Sequence, residues 1–138
     1  MRLQASMAGG SLRLILPATP SLWVNINGRI VWGRICHRVL IETHTWAELE
    51  DKYHLEDQNQ QRAEQLTDHI IRKVTESDVH DVIFVTNEDV FSKQSTAKVK
   101  KAIQKALGEK FHSVHGLPKS IPEKIRSVLQ RHAKQHVS

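Results

Sequence analysis

A chain of 138 residues suits one domain, and 39% hydrophobic with 25% charged residues excludes wholesale disorder. The lone cysteine, Cys36, excludes an internal disulfide and a zinc site built from several thiolates; no apolar run approaches the roughly 20 residues that cross a bilayer, and Arg13 interrupts the first candidate for a secretory apolar core. The net charge of +5 hides three blocks: residues 1–41 hold five arginines and no acid, residues 42–89 thirteen acids against four bases, and residues 90–138 eleven bases against two acids.

Residues 1–20 read as a loosely ordered basic lead-in, or a targeting or extension segment, from Gly9-Gly10, Pro17, Pro20 and the absence of acids. Residues 21–138 read as a single α/β domain. In "SLWVNINGRIVWGRI" apolar residues alternate at Leu22, Val24 and Ile26 and resume at Ile30. Asn27-Gly28 lies between the runs and suits the positive φ angles of a two-residue turn. This predicts a hairpin over 22–35, with Trp23 and Trp32 covering one face.

Val39-Leu40-Ile41 predicts a buried strand over 38–42. Thr43 or Thr45 can then cap a helix. Trp46, Leu49 and Tyr53, then Ala63, Leu66, Ile70 and Val74, recur at helical spacing. They predict helix over 46–76, with the polar "EDQNQQR" as a break or an exposed turn. Val82, Ile83, Phe84 and Val85 predict a strand over 82–86 buried on both faces. Ser95 or Thr96 begins a helix over 95–107, and Gly108 stands where a C-terminal cap belongs. Ser120, Pro122 and Glu123 open a helix over 121–134 as a capping box. Strands alternating with helices predict an α/β fold: a small sheet with a parallel strand pair, extended by the N-terminal hairpin.

Both predicted parallel strands end in polar clusters, "ETHT" and "TNED". Ligands of open α/β sheets bind beyond such carboxyl ends. Glu42, His44, Glu88 and Asp89 would converge there if the strands are neighbours. Carboxylates with an imidazole hold divalent cations, which suits metal-dependent hydrolysis of a phosphate ester. The plainer reading is that loops are polar and that acids suit helix starts. A P-loop is excluded, because no glycine lies between His80 and Gly108.

Lys98, Lys101 and Lys105 form one stripe of the 95–107 helix, and Lys124 and Arg131 add charge on the last helix. Like charges at this spacing repel by a few tenths of a kcal/mol per pair. A stripe of this kind suits nucleic-acid phosphates, whose counterions it displaces. The alternatives are a solvated face or neutralisation by the acidic middle. Phe111 is the only aromatic residue after Phe91, so contact with the backbone of a duplex or structured RNA fits better than base stacking. "TWAELEDKYHL" suggests the first half of a helix-turn-helix, but the would-be recognition segment, "EDQNQQRAEQ", is acidic and rules that motif out. His112/His115 and His132/His136 are spaced like metal-ligand pairs but lack local partners.

The leading expectation is therefore a small non-catalytic protein without cofactor, intracellular and cytoplasmic (or in an organellar matrix, from the acid-free N-terminus). It binds nucleic acid, or an acidic protein, through Lys98, Lys101, Lys105, Lys124 and Arg131, and no membrane. One alternative is the metal-dependent phosphate-ester hydrolase with a divalent cation at Glu42, His44, Glu88 and Asp89. Another is a protein–protein interaction module around Trp23 and Trp32. No oligomeric state is implied.

Overall fold

A computed structural model of the chain describes residues 3–17, 23–26, 29–34, 37–55, 60–76, 79–93 and 96–136. Its architecture is α/β, and its centre is a five-stranded sheet. The strands, in spatial order, are β3 (Trp23–Ile26), β4 (Arg29–Arg34), β5 (His37–His44), β6 (Asp81–Thr86) and β7 (Phe111–His115). β3, β4 and β5 pair antiparallel; β5, β6 and β7 pair parallel. The two predicted parallel strands are thus neighbours, with Glu42 opposite Phe84 and His44 opposite Thr86.

Parallel neighbours need crossover connections, and these are helical. α1 (Trp46–Tyr53) and α2 (Gln60–Glu76) lie between β5 and β6, α3 (Ala97–Leu107) lies between β6 and β7, and α4 (Ile121–His136) comes after β7. Side chains alternate across each strand, so the sheet feeds two cores. Leu40, Val82, Phe84 and Phe111 pack with Trp46, Leu49, Leu66, Ile70, Val99 and Ile103 of α1, α2 and α3. Val39, Ile41, Ile83, Val85 and Val114 pack with Ile121, Ile125, Val128 and Leu129 of α4. Every residue of β6 is buried, as its unbroken apolar run requires. Burying a side chain of this size contributes about 1.5–3 kcal/mol.

Several elements differ from expectation. Within the segment read as a loose lead-in, β1 (Gln4–Ala8) and β2 (Ser11–Ile15) form an antiparallel hairpin. Gly9 and Gly10 are its turn, at φ +58° and +82°; positive φ at both central positions is what a two-residue turn needs. Leu3 and Leu12 join the core beside α4, so this hairpin is packed onto the domain. The helical segment 46–76 takes the alternative with a break and is two helices, α1 and α2. His54 takes a left-handed conformation, φ 48° and ψ 49°, and its N–H closes α1 on the Glu50 carbonyl at 2.9 Å. β7 is a strand that the sequence does not predict, because "FHSVH" carries only two apolar residues. The helix predicted from 95 begins at Ala97; the buried Thr96 hydroxyl donates to the carbonyls of Val90 and Lys93 and makes no cap. Gly108 ends α3 at φ +59° as expected. Before α4, the Ser120 hydroxyl donates to the Leu117 carbonyl at 2.9 Å. Asn27-Gly28, Cys36 and Ser95 lie outside the described residues. Among the described residues no helix is long and apolar enough to cross a membrane.

Candidate metal centre at the carboxyl end of β5

Leu40, Glu42 and His44 alternate along β5 onto the face covered by α1, α2 and α3. Leu40 enters the core; two residues on, Glu42 meets α2, where the buried stripe of Leu66, Ile70 and Val74 is flanked by His69. The Glu42 Oε1 atom accepts hydrogen bonds from Nε2 of His44 and Nε2 of His69, each at 2.7 Å. One donor atom from each residue lies within 4.8 Å of the others. Phe84 of β6 supports the group: its ring centroid is 5.2 Å from that of His44, which meets His69 edge-on at 6.2 Å.

The second carboxylate oxygen, Oε2, is buried and has no hydrogen-bond partner among the described residues. A buried acceptor left in this state costs about 1–3 kcal/mol. Burial pushes the Glu42 carboxyl up, but the hydrogen bonds and charges of His44 and His69 together outweigh it and hold the group down, from 4.5 to about 2. Glu42 is therefore a carboxylate at neutral pH. It carries an unmet oxygen beside two imidazole nitrogens, and both imidazoles are 24% exposed.

A cavity of about 310 Å³ opens beside this cluster, lined by Ile30, Leu40, Ile41, Glu42, Thr43, His69 and Lys73. It has a simple origin. β4 pairs with β5 only as far as Ile30 opposite Ile41, whereas β5 continues to His44 against β6. Among the described residues, the last residues of β5 thus have no paired strand on the side away from β6.

Of the four residues predicted at the strand ends, the structure brings Glu42 and His44 together and adds His69. Glu88 and Asp89 do not join the group. Both are exposed in the loop after β6. The Glu88 carbonyl accepts from the Thr86 hydroxyl at 2.6 Å, and Asp89 lies 3.8 Å from Nδ1 of His115. The reason is local: after β6 the chain turns into a short 3-10 segment, Val90–Ser92, whose Val90 and Phe91 are buried. Nothing adjacent in sequence marks His69; it reads as one polar residue beside an apolar helical stripe, and so escapes prediction.

Lys98, Lys101 and Lys105 are exposed on α3. Lys124 and Arg131 are on α4, across the sheet. Lys124 Nζ donates to the His115 carbonyl at 2.6 Å, and Arg131 Nε donates to the Ser127 carbonyl at 3.4 Å. The five predicted phosphate contacts therefore occupy two faces. His112 and His115 also part, because odd spacing on a strand sends them to opposite sides of β7. His112 faces Asp81 at 3.6 Å and His115 faces Asp89. The side chains of His132 and His136 lie outside the described part of the structure. Trp23 and Trp32 are cross-strand partners, half-buried, and line a cavity of about 680 Å³ with Leu3, Leu129 and Arg126.

Compared with protein-family models, with curated proteins and with solved structures, this chain matches none.

Proposed function

We propose that this protein is a metal-dependent hydrolase whose divalent ion is held by Glu42, His44 and His69. What carries the assignment is the buried Oε2 of Glu42, which has no partner among the described residues, on a carboxylate whose Oε1 meets two imidazole nitrogens. Two histidines and a carboxylate are a familiar donor set for zinc and related first-row ions. Structural ions are normally closed by a fourth protein donor, whereas catalytic ones keep a position for water or substrate. No fourth His, Cys, Asp or Glu joins these three among the described residues, and the adjoining cavity gives an open position room. When bound, such an ion polarises an ester oxygen and supplies an activated water near neutral pH. The chain's own part is to hold the three donors in register: β5 fixes Glu42 and His44, α2 fixes His69, and Phe84 backs His44.

The ion and protons compete for the same imidazole and carboxylate donors, so affinity falls in acid. Titration with Co²⁺ should show one site with the visible absorption of a low-coordinate ion. Glu42→Gln and His69→Ala should each weaken it more than about tenfold. Equal Co²⁺ affinity in wild type and a His44→Ala/His69→Ala double variant would overturn the assignment. So would ester hydrolysis that survives complete chelation.

A second reading, backbone binding of nucleic acid by α3, is supported by one observation. Lys98, Lys101 and Lys105 are exposed and form no ion pair among the described residues, although α2, with Glu64 and Asp68, packs alongside. No ion pair among the described residues relieves their mutual repulsion, which favours an external polyanion. An electrophoretic shift of a duplex probe, weakening steeply with salt, is the expected result. Retention of an acidic protein but no duplex would favour the other partner class.

A further inference from the structure

We infer that Lys73 is the anion anchor of this centre and that its substrate is a small phosphate monoester; the inference rests on the metal assignment above. Lys73 comes one helical turn after His69 on α2, so both lie on the same face. Both line the 310 Å³ cavity with Glu42 and Thr43. Lys73 is half-buried, yet it forms no ion pair or hydrogen bond among the described residues. Of the two Glu42 oxygens, Oε1 accepts from two imidazoles and Oε2 is the one assigned to the ion, and neither forms a described ion pair with Lys73. An ammonium at a cavity beside a divalent ion makes that space doubly attractive to a dianion, and a compact ammonium serves a phosphate as a point charge. Size narrows the class. A volume of 310 Å³ stands at the lower end of small-molecule sites, about 300–1,000 Å³; it has room for a phosphate with a small organic group. In the reaction, a water oxygen bonds to phosphorus as the ester P–O bond breaks. One water proton ends on the leaving alcohol oxygen and the other stays on the inorganic phosphate. No redox partner is needed. Lys73 holds non-bridging oxygens throughout and is not a metal ligand.

The experiment uses the whole chain loaded with Co²⁺, and three variants: Lys73→Ala, Lys73→Met, which keeps the packing of the stem, and Lys73→Arg. Co²⁺ should bind all of them, no more weakly in the alanine and methionine variants than in wild type, since a like charge beside the ion is removed. Inorganic phosphate should perturb the Co²⁺ spectrum, with its dissociation constant raised about tenfold or more in the alanine and methionine variants and largely restored by arginine. With p-nitrophenyl phosphate, the same two variants should raise KM by a similar factor and change kcat less. Hydrolysis of the uncharged p-nitrophenyl acetate should not respond. Unchanged phosphate affinity in Lys73→Ala and Lys73→Met, with Co²⁺ binding intact, would overturn the anchor and leave the metal assignment standing. A protein that fails to bind Co²⁺ at all would remove both.

Discussion

At Glu42 two effects oppose each other. Burial alone raises a carboxyl pKa, and here two imidazole donors reverse the sign and bring it to about 2. The folded value lies below the unfolded one, so the ionised group stabilises the fold above the unfolded pKa of 4.5, and that contribution is lost as pH falls towards 2. A shift of this size corresponds to on the order of 3 kcal/mol, most of it gone by about pH 3. Urea unfolding at pH 7 and pH 3 should therefore show wild type losing more stability than Glu42→Gln, by on the order of 2 kcal/mol. An identical loss in both would mean that the imidazoles do not hold this carboxylate. At this scale the sequence is half informative. The sequence names Glu42 and His44 as candidates, and because β5 runs past the predicted end at 42 to His44, their spacing of two puts both on one face. His69, 27 positions after Glu42, is invisible to such reasoning, because only packing of α2 on the sheet makes the two neighbours.

Elements show how the site is held still. The first turn of α1 has two side-chain acceptors. Thr45 Oγ1 accepts from the Glu48 N–H at 3.1 Å, and Asn87 Oδ1, from the loop after β6, accepts from the Trp46 N–H at 2.8 Å. The sequence offers Thr43 or Thr45 as the cap, and the structure uses Thr45. No such signal marks Asn87, since it caps a helix 41 residues away. The Asn87 bond ties the carboxyl end of β6 to the chain just beyond His44. Asn87→Ala should cost about 1 kcal/mol in urea unfolding and leave Co²⁺ stoichiometry at one. A neutral effect on stability would show that water replaces the amide without loss. The same tertiary dependence explains β7: five residues with two apolar positions carry too little periodicity to be distinguished from a loop, and the strand exists because β6 offers an open edge beside it.

Over the whole molecule, charge is distributed by layer. The basic C-terminal third is divided by the sheet, with α3 on one side and α4 on the other. A surface that is continuous along the chain is thus two surfaces in space. If α3 is the nucleic-acid face, a Lys98→Glu/Lys101→Glu/Lys105→Glu variant should lose duplex binding and flatten its salt dependence by up to about 0.9 per lost phosphate contact. A Lys124→Glu/Arg131→Glu variant should bind as wild type does. Equal loss in both would point to diffuse attraction by net charge, without a defined face.

What the sequence determined unaided is the part governed by local periodicity and turn chemistry. That includes the α/β class, the buried run from Val82 to Val85, the stripes of α2 and α3, and the end of α3 at Gly108. Such features depend on residues within a few positions of each other, where backbone geometry leaves few choices. The tertiary structure alone decided that β5 and β6 lie side by side, that β1 and β2 close onto α4, that His69 completes the donor set and Asp89 does not, and that Lys73 borders the cavity. Each of these joins residues far apart in the chain. Their proximity is set by which apolar faces bury against which, and the sequence of any one segment carries no record of its partner.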